Sequence, residues 1–200
     1  RGGVGKGTNN VSDAYYSDNQ YLNHASVNPV FNFIYSLGKM EDFGSEFNFF
    51  EDNEREAWMK GIYNTKSVDT ESLLKTDKPD ILLIVWEGCS ECMAKCIGGK
   101  TDVTPNLSAI ASEGISFSNC IANSYRTDRG LVCLTAGWLG LPNASLMKMP
   151  QKSEMLPALP RVLQNNGYAT RFWYGGDISF TNMGGYMRQA GFSKIVSDVD

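Results

Sequence analysis

The sequence predicts an α/β protein in which a doubly wound, mostly parallel sheet follows a helical lead-in. Three observations predict this class. Ile81–Trp86 is a short, continuous apolar run rich in β-branched side chains, which is typical of a strand buried in a parallel sheet. From Lys78 onward, strand-like runs alternate with helical patterns. Before Lys78 the periodic segments are helical. We therefore expect a lead-in and linker at residues 1–77 that packs on one main domain at residues 78–200.

Length and composition narrow the class of protein. A chain of 200 residues suffices for one α/β domain and an extension. The formal net charge of −4 gives no indication of a nucleic-acid partner. The longest apolar run is far shorter than the ~20 residues that a membrane-spanning helix needs. Because the chain begins with Arg1 rather than Met, we interpret it as a piece of a longer protein.

The elements are delimited by capping and turn residues. Residues 26–38 and 51–60 are the predicted helices of the lead-in, and the aromatic side chains between and within them are expected to pack on the main domain. Thr104 and Pro105 mark the start of a helix that Gly114 ends. In the main domain, strands are predicted at about 80–86, 115–122, 168–174 and 193–197. Helices are predicted at about 89–96, 104–114, 129–138, 153–166 and 181–190.

Three of the five cysteines follow the first predicted strand. Cys89, Cys92 and Cys96 are spaced i, i+3 and i+7, which places them on one face of a helix. The favoured interpretation is that they are small buried side chains facing the sheet. A disulfide or an adventitious metal site stays open as the alternative, although a zinc site usually takes four ligands in two separated pairs.

Polar side chains fall where three predicted strands end. Glu87 follows the first strand, Thr127 lies between the second strand and a helix, and Tyr174–Asp177 follows the third. Ligands of open α/β sheets bind beyond the carboxyl ends of the strands, so these groups are expected to converge. Glu87 is interpreted as a metal ligand rather than a helix cap, because a carboxylate at a buried strand end is costly without a partner. Thr127 is either a helix N-cap or a nucleophile.

Four other polar residues complete the candidate set. Arg126 and Arg129 flank Thr127 and either lie in solvent or bind the anion of a substrate, for which the guanidinium group is well shaped. Asp177 is either a turn residue or a substrate contact. His24 is the single histidine, and we expect it to be exposed or packed rather than a ligand.

Four stretches resemble the alkaline phosphatase superfamily, and most closely its lipoteichoic acid synthase-like, sulfatase-domain branch. They are KPDILLIVWE at 78–87, TPNL at 104–107, NSYRTDRG at 123–130 and FWYGGD at 172–177. The resemblance implies an alkaline phosphatase-like sheet and one divalent metal ion, Mn²⁺ or Zn²⁺. It makes Glu87 a metal ligand, and Thr127 both a ligand and the nucleophile. An Asp-His pair completes the site of the family, and no such pair occurs before the chain stops at Asp200.

The residue at position 127 favours phosphoryl over sulfuryl transfer. Sulfatases of this superfamily carry Cys or Ser there, followed by Pro and Arg, and threonine cannot become formylglycine. The resemblance thus implies a phosphoryl transferase or phosphodiesterase acting on a (glycero)phospholipid-type or cell-envelope substrate. The alternatives are a sulfuric or phosphoric ester hydrolase, and a non-catalytic binding or scaffold module. The resemblance also implies membrane attachment through segments outside this chain, at the extracytoplasmic face of the bacterial inner membrane.

Overall fold

A computed structural model describes residues 10–17, 19–38, 42–63, 73–117 and 119–198. The contacts divide the chain into two compact units. One unit contains the described residues up to Phe33 together with those from Glu87 onward, and the other unit is Ile34–Trp86. The predicted boundary between residues 77 and 78 stays a prediction. In the described ranges, no helix is both long and apolar enough to cross a membrane.

Helices make up most of the regular structure. In chain order they are α1 Gln20–Ser26, α2 Pro29–Leu37, α3 Phe43–Glu46, α4 Asp52–Tyr63, α5 Pro105–Glu113, α6 Thr127–Ala136, α7 Pro150–Ser153, α8 Leu159–Asn165 and α9 Met183–Ala190. Short 3₁₀ turns lie at Val11–Ala14, Glu91–Met93, Lys95–Ile97, Leu146–Lys148 and Phe180–Asn182. The strands are β1 Arg171–Trp173 and β2 Lys194–Val196. Helices α2, α4, α5 and α9 confirm four of the predicted helices.

Strands β1 and β2 form a parallel pair around the crossover helix α9. The register places Arg171 opposite Lys194 and Trp173 opposite Val196. Helix α9 buries Met183, Tyr186 and Met187, which recur at the i, i+3, i+4 spacing of an amphipathic helix. These side chains are central to the core of this unit, where each is at most 2% exposed. The β–α–β arrangement is the one that the last two predicted strands required.

The first two predicted strands are wrong for this chain. Residues 80–86 and 115–117 are irregular, and so are residues 119–122 apart from one turn residue. The side chains of Ile81–Trp86 are 51–76% exposed. A strand exists through its ladder of hydrogen bonds to a neighbour, and neither segment pairs with another strand within the part of the chain that the structure describes. The apolar pattern therefore indicates strand propensity, but it does not show that a neighbouring strand is present to pair with.

The predicted cysteine helix is also wrong. Residues 91–97 form two 3₁₀ turns, and the Gly99 N–H donates to the Ala94 carbonyl at 3.0 Å. A Cβ on Gly99 would lie 2.5 Å from the Glu91 carbonyl oxygen, so the tight return of the chain requires glycine there. Cys92 is exposed, Cys89 and Cys96 are half-buried, and all five cysteines of the chain are free. The cysteines do not face a core, and the disulfide alternative does not hold in this structure.

Two other helix boundaries differ from the prediction for local reasons. Helix α6 begins at Thr127 instead of residue 129 and ends where Gly137 turns left-handed, at φ 65°. The helix predicted at 153–166 is split into α7 and α8. Pro157 lies in the gap and has no N–H to donate, and Pro160 lies in the first turn of α8.

The aromatic side chains of the lead-in contact one another. The rings of Phe43 and Phe47 lie 5.6 Å apart, and those of Phe47 and Phe49 lie 6.3 Å apart. Phe50 and Trp58 are exposed within this unit. Their packing on the main domain stays a prediction.

Candidate functional site

Thr127 and Glu87 lie in direct contact although they are 40 positions apart. The Thr127 Oγ1 hydroxyl donates a hydrogen bond to Glu87 Oε2 at 2.8 Å. Thr127 is the first residue of α6, and Glu87 precedes Gly88, whose φ of 74° turns the chain away from the apolar run. The convergence that the sequence predicted for these two residues is therefore present in the structure.

The structure shows that neither side chain caps a helix, whereas the roles of Glu87 as a metal ligand and of Thr127 as a nucleophile stay predictions. Arg126 occupies the N-cap position of α6 with extended dihedral angles, and no side chain caps this helix. The Thr127 hydroxyl is directed to a carboxylate instead of a backbone N–H. Glu87 caps no helix, because Ser90 precedes the first turn that follows it. Neither side chain is used as a helix cap, which leaves both oxygens available for chemistry.

Asp128 is a buried acid beside Thr127 that the sequence reasoning missed. It is 2% exposed, and its carboxylate lies between two cations. Arg126 Nε is 3.2 Å from Oδ1, and Lys148 Nζ is 3.3 Å from Oδ2. Burial opposes ionisation, but the Ser145 hydroxyl and the charges of Lys148 and Arg126 outweigh it and hold the pKa of Asp128 below its ordinary value. An acid in the first turn of a helix is a common sequence feature, and no local signal indicated its pairing with Lys148.

Arg129 is held on the other side of the turn. Its guanidinium group lies over the Tyr125 ring, 5.4 Å from the centroid, and Nη1 lies 3.4 Å from the Tyr125 hydroxyl. Nη1 also donates to the Pro142 carbonyl. Arg129 therefore fixes the loop that follows α6, and its proposed contact with a substrate anion stays a prediction.

Asp177 makes a local turn. Its Oδ1 accepts hydrogen bonds from the Ser179 hydroxyl at 2.6 Å and from the Ser179 N–H at 2.8 Å. These bonds lower the pKa of Asp177 from its ordinary value. This geometry agrees with the interpretation of Asp177 as a turn residue. Its substrate-binding role stays a prediction.

Tyr174 links the end of β1 to the same region. Burial raises the pKa of its phenol, and the negative charges of Glu87, Asp198 and Asp177 raise it further. Its ring packs over Gly176, where an added Cβ would lie 3.0 Å from Cε1. The phenol is thus kept neutral within the electrostatic reach of Glu87.

His24 is the exposed histidine that the sequence predicted. Its Nε2 lies 3.4 Å from Glu154 Oε2, and its ring lies 6.2 Å from that of Tyr15.

The oxygen atoms of Glu87 and Thr127 fit one part of a divalent-metal site. Carboxylate and hydroxyl oxygens are ligands that hard cations prefer, and a separation of 2.8 Å allows both to bind one ion. No group of three or more His, Cys, Asp or Glu side chains that could hold a metal occurs among the described residues. A catalytic site usually keeps about three protein ligands, and Glu87 and Thr127 would supply two of them.

The sequence matches a family model described as Sulfatase over residues 79–199. An N-acetylglucosamine-6-O-sulfatase from Bacteroides thetaiotaomicron is 28% identical over 96 residues, which are 48% of this chain and 17% of that protein. Among solved structures, a protein in the alkaline phosphatase superfamily from Vibrio parahaemolyticus is 30% identical, with a TM-score of 0.50 over 54% of this chain and 26% of that one. The lipoteichoic acid synthase LtaP from Listeria monocytogenes is 19% identical, with a TM-score of 0.34 over 38% of this chain and 18% of that one.

The family model and the Vibrio parahaemolyticus structure confirm the predicted α/β fold class and the resemblance at the level of the family. The chain spans about a sixth to a quarter of the length of the relatives it matches. Proteins of this superfamily generally use a divalent metal ion, and a hydrolase or transferase activity agrees with the family. Because the family model covers more than half of its residues, the chain belongs to the sulfatase family, within the alkaline phosphatase superfamily.

Proposed function

We propose that this chain supplies the nucleophile of a metal-dependent phosphoryl transferase or phosphodiesterase that acts on a (glycero)phospholipid-type or cell-envelope phosphodiester. The observation that supports it is the 2.8 Å hydrogen bond from Thr127 Oγ1 to Glu87 Oε2 at the start of α6. A hydroxyl positioned by a carboxylate, next to a helix N-terminus, is an arrangement that suits attack on an anionic ester.

The reaction proceeds in two displacements. The Thr127 hydroxyl gives its proton to solvent, and Oγ1 forms a bond to phosphorus while the bond from phosphorus to the leaving oxygen breaks. The leaving oxygen takes up a proton from solvent and departs as an alcohol. The phosphothreonine ester is then attacked by an acceptor hydroxyl or by water, which regenerates the threonine. A divalent cation held by Glu87 and Thr127, Mn²⁺ or Zn²⁺ in our proposal, lowers the pKa of the hydroxyl when it is bound. In this proposal, backbone N–H groups in the first turn of α6 donate to the non-bridging oxygens.

A sulfuric ester hydrolase is the second candidate. The sulfatase family match and the N-acetylglucosamine-6-O-sulfatase among the relatives favour it. Against it stands the threonine at position 127, because a formylglycine nucleophile requires Cys or Ser. A non-catalytic module is the third candidate, and no contact among the described residues favours it. We further propose an extracytoplasmic, membrane-attached location, on the strength of the family resemblance.

Substrate preference and a trapped intermediate test the proposal together. Full-length protein would be incubated with Mn²⁺ or Zn²⁺ and either bis-p-nitrophenyl phosphate or p-nitrophenyl sulfate. We expect turnover of the phosphodiester and, after an acid quench, a phosphoryl adduct on the peptide that contains Thr127. Turnover of the sulfate ester alone, with no adduct on that peptide, would favour the second candidate. No turnover of either ester across both metals would favour the third.

A further inference from the structure

Three charged side chains at the start of α6 form a compact group that the proposed reaction does not yet use. Asp128 is buried, whereas the side chains of Arg126 and Lys148 are 45% and 35% exposed. We propose that Asp128 is a positioning residue: it holds Arg126 and Lys148 as a fixed cationic pair beside Thr127, and this pair binds the anionic group of the substrate. This inference rests on the proposed function of Thr127.

A buried ion pair is weak evidence for a purely structural role, because the desolvation of the charges offsets much of their attraction. Here the acid is withdrawn from solvent, whereas the side chains of both cations remain partly exposed to solvent. Ser145 strengthens the arrangement, because its hydroxyl donates to the Asp128 carbonyl at 3.3 Å and the residue precedes the turn that carries Lys148.

Arg126 contacts Asp128 through Nε of its guanidinium group. Nε makes the ion pair at 3.2 Å, and no described contact of the chain uses Nη1 or Nη2. Two parallel N–H groups of a guanidinium match two oxygens of a phosphate. Arg126 is the residue before Thr127, and in the proposal the anion bound by these N–H groups is the group that the Thr127 hydroxyl attacks. Fixing Nε in advance removes a loss of rotamer freedom that binding would otherwise entail.

The direction in which one substitution changes the affinity for an anion distinguishes a positioning role from a purely electrostatic role. Asp128→Asn keeps the shape and removes a negative charge beside the anion site. If Asp128 acted through charge alone, its loss would tighten anion binding. If it positions Arg126 and Lys148, its loss weakens binding. We expect the inhibition constant for inorganic phosphate, and KM for bis-p-nitrophenyl phosphate, to rise on the order of 10-fold or more, the effect of losing a charged hydrogen bond, with a smaller change in kcat.

The matched control is Asp102→Asn in the same full-length protein. Asp102 is exposed and accepts a hydrogen bond from Ser108 on α5 at 3.0 Å. It removes the same charge from an acid next to a helix start, and we expect both constants to stay within about 2-fold, because exposed charges are screened. Lys148→Met should reproduce the direction of Asp128→Asn, and Lys148→Arg should restore part of the affinity because it keeps the charge.

Thermal unfolding of each variant distinguishes a structural role of Asp128 from a role in binding. Unchanged or tighter phosphate inhibition in a folded Asp128→Asn protein, or a lower melting temperature with unchanged KM, would overturn the positioning proposal. The Thr127 adduct distinguishes this failure from failure of the proposed function. A variant that still forms the adduct at saturating substrate while KM is unchanged contradicts the positioning role of Asp128 and leaves the proposed function intact. Absence of the adduct in the unmodified protein contradicts the proposal that Thr127 is the nucleophile.

Discussion

Replacing Thr127 separates a nucleophile from a structural residue most sharply. Thr127→Ala removes Oγ1, and with it one hydrogen bond to an exposed carboxylate, at 2.8 Å. Alanine is a good helix former at the first position of α6. The structural loss is therefore ~1 kcal/mol, which shifts the melting temperature by a few degrees at most. Loss of a covalent nucleophile costs on the order of 10³-fold or more in kcat, or ~4 kcal/mol of activation free energy.

Two companion variants locate the cause of that loss. Thr127→Ser keeps a hydroxyl that can bind metal and attack, so part of the activity should remain. Glu87→Gln keeps an oxygen that accepts the hydrogen bond but removes the charge that binds a cation. Excess Mn²⁺ or Zn²⁺ should therefore restore part of the turnover by Glu87→Gln and none by Thr127→Ala. The assay is release of p-nitrophenol from bis-p-nitrophenyl phosphate by the full-length protein, with metal titrated.

Thr104→Ala is the control for these variants. Thr104 precedes α5 in the same unit, and its hydroxyl makes one long contact, 3.5 Å from the Met93 carbonyl. Its loss should leave kcat unchanged. A folded Thr127→Ala protein with near-normal turnover would refute the nucleophile and leave Thr127 as an ordinary residue at a helix start.

Four further predictions follow from the contacts. The 200-residue chain should bind Mn²⁺ or Zn²⁺ more weakly than micromolar in calorimetry, because two of the usual three or so ligands are present; tight binding would contradict that ligand count. Replacing the three cysteines of loop 89–96 with serine should change the free energy of unfolding by ~0.5 kcal/mol or less each, since they are free and not buried; a large loss would favour a core role. Tyr186→Phe should cost ~1 kcal/mol in urea unfolding, because it removes a buried 2.6 Å hydrogen bond to Thr135; an unchanged midpoint would argue against that bond. Since the pKa of Asp128 is lowered, its contribution to stability is present above the ordinary value of 3.8 and is lost as pH falls through the folded-state value; Asp128→Asn should flatten this acid limb, and an unaltered limb would show that Asp128 does not contribute.

The parts of the fold that were predictable have local causes. The helix start at Thr104 and Pro105 and the strands around α9 follow from caps, proline and apolar period. The approach of Glu87 to Thr127 was also predicted, from the ends of two strands, and the contact is present although neither of those strands forms among the described residues.

The parts that were not predictable depend on contacts distant in sequence or on backbone geometry. Residues 80–86 have the composition of a strand, but composition does not supply the neighbour that makes a strand. The pairing of Asp128 with Lys148 spans 20 positions, and neither residue signals the other. In the cysteine segment, helical spacing was misleading, because Gly98 with φ 104° and the crowded Gly99 close a tight loop instead.

The two oxygens of the candidate site are held with different rigidity. Helix α6 is anchored by the buried side chains of Leu131, Val132 and Thr135, and Thr135 bonds the Tyr186 hydroxyl of α9. Thr127 is the first residue of α6, so its backbone is held in place by this anchored helix. Glu87 lies between an exposed, unpaired run and the Gly88 turn, and within the described residues its side chain makes one hydrogen bond, to Thr127. In the proposed reaction, the attacking hydroxyl is therefore held by the core, and the Glu87 carboxylate is the part that can adjust to a cation. Added metal should compensate for a weakened Glu87, because the Thr127 oxygen is still in place, and should not compensate for a missing Thr127 hydroxyl.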